Sequence, residues 1–166
     1  MKRVLCLLVC IVLFPSFAYA ANYTYKDEYI ILDLDKNWSF DSISEEDNER
    51  MIYLKNNNKT IMIQQKIVDS VDKSSFDLFS SFVFNAWYNA TFEGYEDEVI
   101  VNDTIIASGK TYPFIIWEMR ENIYIAISYV ISNGAMSVFL YHDEDDQSIK
   151  GYKKAMIDIL ESCSTR

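Results

Sequence analysis

The stretch from Tyr112 to His142 constrains the fold more than any other part of the chain. It consists of three runs rich in β-branched and aromatic residues, separated by two short polar breaks, a pattern typical of consecutive antiparallel strands. The second break is Asn133-Gly134, a dipeptide that tolerates the positive φ angles of a tight type I′ turn. We therefore predict a three-stranded meander with one face too apolar to remain in water.

Two amphipathic helices are predicted to cover that face. The first runs from Ser74 or Ser75 to Gly94, and the second from about Gln147 to Ser162. In both, apolar residues recur with the spacing of one continuous helical stripe. The stripes are Phe76, Phe79, Val83, Ala86, Trp87 and Ala90 in the first helix, and Ile149, Tyr152, Met156, Ile159, Leu160 and Cys163 in the second.

The remaining segments are predicted to be strands joined by polar turns. Trp38 and Phe40 are two residues apart, so alternation places them on one face of a short extended segment. Two polar segments, Ala21–Lys26 and Ser42–Arg50, are predicted to lack regular structure. The predicted strands outside the meander are Glu28–Leu34, Met51–Leu54, Thr60–Val68 and Val99–Ser108.

The order of the predicted elements is β-β-β-α-β-β-β-β-α, without the alternation that parallel sheets require. It predicts an α+β fold. We expect a single, mainly antiparallel sheet of about six to seven strands, covered by the two amphipathic helices.

The N-terminus has the pattern of a secretory signal peptide. Lys2 and Arg3 precede the apolar run Val4–Phe14, and Ala18 and Ala20 supply small residues before the cleavage point. We predict that residues 1–20 are removed after Ala20 and that residues 21–166 form a single domain. The expected location is the periplasm or the exterior, with no integral membrane anchor in the mature chain.

Charge and cysteine content restrict the partners and the source of stability. Loss of Lys2 and Arg3 lowers the basic residues from 15 to 13 against 25 acidic ones, which shifts the formal net charge from −10 to about −12. Such acidity disfavours nucleic acid and anionic membranes as partners. Cys6 and Cys10 leave with the signal peptide, so Cys163 has no intramolecular partner and the domain must rely on its core.

Four features of the mature chain occur together in a known group of domains. They are the strand leading to Trp38, the strand containing Met62 before a Phe-rich helix, the entry Gly109–Phe114 to the meander, and the closing helix that ends at Ile159–Ser162. In these features the chain resembles the PsbP/DcrB-like group of small α+β domains. The resemblance implies an accessory or binding protein attached to a larger assembly, and it implies no catalysis.

The residues offer little support for catalysis. His142 is the only histidine, and no G-x-S-x-G motif occurs. A Cys163–His142 pair is the one conceivable nucleophilic unit, but Cys163 falls on the predicted apolar stripe, where a thiol behaves as a small hydrophobe. We therefore predict a protein that is not an enzyme and has no cofactor.

Two acidic clusters are the candidate binding residues. One lies after the first helix and the other after the meander, and together they could form a negative face for a basic partner. The second cluster could alternatively hold Ca²⁺, but it lacks the spacing of a calcium loop, and a polar loop with Asp146 as helix N-cap is preferred. No metal site is expected. The candidate residues are Glu93, Glu96, Asp97, Glu98, Asp143, Glu144 and Asp145.

Three functions compete at this stage. The first is a non-enzymatic exported accessory protein that binds a protein partner in the cell envelope. The second is a periplasmic immunity or inhibitor protein that neutralises a basic toxin or hydrolase, since acidity speeds capture of a basic partner. A hydrolase using carboxylates ranks last. The aromatic residues Phe84, Trp87 and Tyr88 could form an exposed groove, but core packing is the preferred prediction.

Overall fold

A computed structural model describes residues 22–46, 48–67, 73–95, 98–132 and 134–165, the side chains of residues 73–81 excepted. The predicted signal peptide, Asn133, Glu96 and Asp97 lie outside these described residues. Within them the helices are α1 (Lys73–Phe92) and α2 (Ile149–Ser162). The strands are β1 (Tyr23–Lys26), β2 (Ile30–Leu34), β3 (Ser39–Glu46), β4 (Glu49–Asn56), β5 (Lys59–Ile67), β6 (Val99–Ala107), β7 (Lys110–Arg120), β8 (Ile123–Ser132), β9 (Ala135–Asp143) and β10 (Cys163–Thr165).

The strands form a large and a small antiparallel sheet. The large sheet has seven strands in the order β3-β4-β5-β9-β8-β7-β6, and the small one has the order β1-β2-β10. The predicted meander is β7-β8-β9, in which Ile127 lies opposite Ile115 and Leu140. The α+β class is therefore confirmed, whereas the prediction of a single sheet is wrong.

The small sheet joins β2, which was predicted as a strand, to two segments that were not. Residues Ala21–Lys26 were expected to be irregular, yet β1 pairs with β2 along its length and buries Tyr25. Beyond α2, Cys163 adopts extended backbone angles and pairs with Leu32, so it lies in β10 rather than on the helical stripe. Both strands are short, and both are defined by pairing with β2 rather than by their own pattern.

The edge strand β3 was predicted to be irregular from Ser42 onward. All eight of its residues are exposed, so its sequence lacks the apolar alternation that marks a half-buried strand. Its pairing with β4 shifts register between Phe40 and Ser42. Trp38 is buried in the core, whereas Phe40 is 47% exposed.

The two helices pack against opposite faces of the large sheet. Neighbouring residues of one strand point to opposite faces, and Ile115 and Ile116 of β7 belong to different apolar clusters. The cluster of Ile116 includes Tyr152 and Met156 of α2 together with the small sheet. The cluster of Ile115 includes aromatic residues of α1. The prediction that both helices cover one apolar face is therefore wrong.

In α1 the buried residues differ from the predicted stripe. Ala86 and Ala90 are exposed, whereas Phe84 and Phe92, which lie off that stripe, are buried with Trp87. Burial of an aromatic ring removes far more apolar surface from water than burial of an alanine methyl group. The helix is therefore rotated so that its large rings face the sheet.

In α2 the predicted apolar face is largely confirmed. Tyr152, Met156, Ile159 and Leu160 are buried, whereas Ile149 is 52% exposed. Asp146 was predicted as the N-cap.

The structure assigns the N-cap of α2 to Ser148 instead. The Ser148 hydroxyl accepts a hydrogen bond from the backbone N–H of Gly151 at 3.0 Å. Asp146 lies two residues earlier in the chain. Its carboxylate accepts from the Ser148 hydroxyl at 2.7 Å and from the Ser148 N–H at 3.0 Å. The carboxylate thus supports the cap rather than forming it.

Replacement of Ser148 by alanine is expected to lower the free energy of unfolding by about 1 kcal/mol, because the Gly151 N–H loses its acceptor. Chemical denaturation monitored by circular dichroism measures the change. Ser164→Ala, at an exposed position of β10, serves as the control and should remain near the wild-type value. Equal stability of the two variants would contradict the assignment of the cap.

Candidate functional site

Asp143 ends β9 as a buried carboxylate with several donors around it. One oxygen accepts from the Tyr141 hydroxyl at 2.9 Å and lies 3.4 Å from the Lys59 ammonium. The other accepts from the backbone N–H groups of Asp145 at 3.0 Å and Asp146 at 3.3 Å. Asp143 therefore organises the loop between β9 and α2 instead of facing a partner.

The same contacts determine the protonation of Asp143. Burial alone would raise the pKa of the carboxyl group, but the donors outweigh it. Hydrogen bonds from the Asp145 N–H, the Tyr141 hydroxyl and the Asp146 N–H, together with the charge of Lys59, lower the pKa below its ordinary value. The carboxylate is therefore ionised at neutral pH.

The hydroxyl group of Tyr152 joins α2 to the end of the sheet. It donates to the carbonyl oxygen of Tyr124 at 2.9 Å and accepts from the backbone N–H of Asp143 at 3.4 Å. Burial raises the pKa of this tyrosine, so the hydroxyl keeps its proton. The ring nitrogen Nδ1 of His142 lies 2.8 Å from the same carbonyl oxygen of Tyr124 and must carry the proton there, since a carbonyl only accepts.

The conceivable pair of Cys163 and His142 is not joined by a hydrogen bond in the described part of the chain. His142 lies in β9 opposite Thr60, whereas Cys163 lies opposite Leu32 in the small sheet. Burial, and secondarily the charge of Asp27, raises the pKa of the Cys163 thiol to about 12. The thiolate that a nucleophile requires is thus disfavoured.

The acidic candidate residues lie at one end of the strands of the large sheet, but on its two opposite faces. Glu98 is half-buried and accepts from the indole N–H of Trp117 at 3.1 Å, on the face that carries α1. Asp143 lies with Tyr141 on the face that carries α2. The start of β6 and the end of β9 are three strand spacings apart, about 15 Å.

The other described candidates lie at the surface. Glu93 follows α1 and is exposed, and Glu144 is exposed in the loop after β9. Asp145 is also exposed and accepts from the side-chain amide of Asn58 at 3.1 Å. Exposed carboxylates therefore occur near both strand ends, and the predicted acidic face stays a prediction.

A cleft that the sequence did not reveal lies between the two acidic regions. This sheet-end cleft, of about 230 Å³, separates the first turns of α2 from the start of β6. Ile100 and Ile149 line it and are 42% and 52% exposed, although Ile149 was predicted on the apolar stripe of the helix. The lining residues are Ile100, Ile116, Tyr124, Gln147, Ile149 and Tyr152.

Two carboxylates lie next to residues that line the sheet-end cleft. Glu118 lies opposite Tyr124 in the sheet, and the Tyr124 hydroxyl is hydrogen-bonded to its carboxylate. Asp146 is held by Ser148 immediately before Ile149. An apolar cleft with carboxylates close to its lining residues is suited to an apolar side chain that has basic neighbours.

The alternative sites considered for the sequence are not supported by the geometry. Phe84 and Trp87 are buried, and the ring of Phe84 stacks on Tyr129 at 4.3 Å, so these residues form core rather than an exposed groove. Across residues 22–165, leaving out the gaps, no three His, Cys, Asp or Glu side chains are grouped closely enough to hold a metal ion. Neither described helix combines the length and hydrophobicity needed to cross a bilayer.

By sequence, no protein-family model and no curated protein matches the chain. Its fold is similar to that of cyanobacterial PsbP (CyanoP) from Synechocystis sp. PCC 6803, known from a solution structure, with a TM-score of 0.58. The two chains are 13% identical, and the match covers 91% of this chain and 96% of the cyanobacterial one. The fold is therefore PsbP-like, and at this identity the similarity extends to the fold alone.

Proposed function

We propose that the protein is a non-enzymatic, exported accessory protein of the periplasm that binds a protein partner through the sheet-end cleft. The partner presents an apolar side chain to Ile100 and Ile149, with lysine or arginine residues facing Glu118 and Asp146. Binding of this kind needs no reactive group in either protein.

The observation that carries the proposal is the pair of isoleucines at the rim of the cleft. Both are large apolar side chains left substantially in water, and both line the same cleft. Full burial of one exposed isoleucine side chain contributes roughly 1.5–3 kcal/mol. Ile100 and Ile149 are each about half exposed, so a partner that covers both gains about that amount in total.

Electrostatics supports a basic partner. The formal net charge is −10 at pH 7, and the carboxylate of Glu118 is hydrogen-bonded to Tyr124, which lines the cleft. Such a field accelerates association with a positively charged surface and disfavours acidic competitors. We therefore expect the association rate to fall as the salt concentration rises.

Substitution of Ile100 by aspartate tests the proposal. Ile100→Asp is expected to weaken partner binding at least tenfold, because it replaces an apolar contact by a charge that must lose water. The partner is first captured with the wild-type protein from the cell-envelope extract of its own source and then purified. The affinity of each variant is measured by calorimetry.

Ile106→Asp is the matched control. Ile106 lies on the same strand and is 68% exposed, but its neighbour Ile105 is buried on the α2 side, so Ile106 points to the opposite face. This variant should bind like the wild type. Equal affinity of the two aspartate variants would contradict the proposed surface.

A second candidate function uses the same surface. The strong negative charge also favours an immunity or inhibitor protein that captures a basic toxin or hydrolase. The purified partner distinguishes the two: an inhibitor would abolish the catalytic activity of its partner at equimolar concentration, whereas an accessory protein would leave that activity present.

A further inference from the structure

Triplets of the form Asn-X-Ser/Thr are more frequent in this chain than its composition predicts. The chain has 11 asparagines, and 22 of its 166 residues are serine or threonine. Chance placement would give about 1.5 such triplets. This triplet is the acceptor of N-linked glycans in exported proteins. The chain has five, which begin at Asn22, Asn37, Asn58, Asn89 and Asn102, and all five asparagines are exposed.

The fold already engages an acceptor group in four of the five triplets. Each triplet contributes the side-chain amide of asparagine and the hydroxyl group two residues later. The Asn58 amide donates to the carboxylate of Asp145 at 3.1 Å. In three others the hydroxyl donates to a neighbouring oxygen: Thr24 to the Asp33 carboxylate at 2.7 Å, Ser39 to the Lys55 carbonyl at 3.4 Å, and Thr91 to the Trp87 carbonyl at 2.7 Å.

The fifth triplet, Asn102 to Thr104, leaves both groups accessible. It lies in β6, which ends the strand order of the large sheet and pairs only with β7. Asn102 and Thr104 are exposed, and neither side chain forms a hydrogen bond with the described part of the chain. Residues two apart in a strand share one face, so the amide and the hydroxyl lie side by side toward water.

The residue between them points the other way. Asp103 lies on the face that carries α2, where its carboxylate is 3.8 Å from the Lys153 ammonium. Val101 and Ile105 pack into the apolar cluster on that same face. Asn102 therefore projects from the opposite face, on a free sheet edge where a large substituent meets no described element of the protein.

We infer that Asn102 carries an N-linked glycan, which is added to the folded protein after export. In the transfer, the amide nitrogen of Asn102 forms a bond to the anomeric carbon of a glycan carried by a polyprenyl diphosphate. The bond between that carbon and the diphosphate oxygen breaks, and the diphosphate leaves with its electron pair. The amide nitrogen loses one proton to a base of the transferase.

This modification shares only export with the proposed function. The glycan projects from the face opposite the sheet-end cleft, so Asn102→Gln should leave partner affinity unchanged. Conversely, Ile100→Asp should leave the glycan in place. Loss of one property with retention of the other therefore separates failure of this inference from failure of the proposed function.

Mass spectrometry of the protein purified from its own source tests the inference. The intact mass should exceed that of residues 21–166 by about one glycan. Digestion after Glu98 separates Asn102 from the triplet at Asn89, so the modified peptide identifies the asparagine. We expect the glycan on the peptide that contains Asn102.

Variants expressed in the same source distinguish the role of each group. Asn102→Gln and Thr104→Val should abolish the added mass, whereas Thr104→Ser should retain it. Thr104→Val keeps a β-branched side chain at an exposed strand position, so the fold should persist, which circular dichroism verifies. Asn58→Gln is the matched control and should stay modified.

Two results would overturn the inference. One is the absence of a glycan from Asn102. The other is equal occupancy of all five asparagines, because transfer to an unfolded chain would not distinguish Asn102 from the four triplets that the fold engages.

Discussion

Replacement of Phe92 by alanine is expected to lower the free energy of unfolding by about 3–5 kcal/mol. Phe92 is 1% exposed at the last position of α1. The centroid of its ring lies 4.9 Å from that of Tyr88 and 5.3 Å from that of Trp117, so it joins the helix to β7. Truncation removes these ring contacts and leaves a cavity that the surrounding aromatic residues cannot fill.

Phe82→Ala is the control for Phe92→Ala. Phe82 lies on the same helix but is 71% exposed, so its truncation should change stability by less than about 1 kcal/mol. Urea denaturation monitored by tryptophan fluorescence measures both variants. A comparable loss in the two would mean that α1 does not pack through the face that carries Phe92.

Replacement of Asp143 by alanine is expected to destabilise the protein by about 2–3 kcal/mol. The substitution leaves the buried Tyr141 hydroxyl and the N–H groups of Asp145 and Asp146 without their acceptor. It also removes the partner of Lys59, which contributes less because Lys59 is partly exposed. Thermal unfolding and urea denaturation at pH 7 measure the loss.

The effect of Asp143→Ala should depend on pH. Because the pKa of Asp143 is lower in the folded state than in the unfolded chain, its contribution is present above pH about 4 and is lost as the pH falls through the folded value. The stability difference between wild type and variant should therefore narrow below pH 4. Asp145→Ala, at an exposed position, should show a small difference at every pH. A constant difference for Asp143→Ala would contradict the role assigned to its ionised form.

The meander and α2 could be predicted from the sequence because local pattern and tertiary environment agree there. Strands β7, β8 and β9 are rich in β-branched and aromatic residues and lie at or near the centre of the large sheet. In α2 the apolar positions are one-sided, and Tyr152 and Met156 face the sheet as the spacing predicts.

Elements defined by a distant partner could not be predicted in this way. β10 is extended because Cys163 finds backbone partners on β2, about 130 residues away along the chain. β3 is an exposed edge whose side chains need not alternate. In α1 apolar residues occur on several sides, so spacing alone could not decide whether Ala86 or Phe84 faces the sheet.

The candidate site was visible in the sequence only as charge. The acidic runs lie at the end of the sheet where we propose the binding surface, but composition could not distinguish the buried Asp143 from the exposed Asp145. The exposure of Ile100 and Ile149 depends on how α2 meets β6, which is a tertiary property. In the sequence, nothing distinguishes Ile100 or Ile149 from an isoleucine that is buried in the core.

Hydrogen–deuterium exchange of the protein with and without its purified partner tests the central claim most directly. The sheet-end surface should be protected in the complex, with the slowed amides concentrated at the start of β6 and the first two turns of α2. Unchanged exchange there, combined with protection confined to α1 or to β3, would contradict the account and place the binding surface elsewhere.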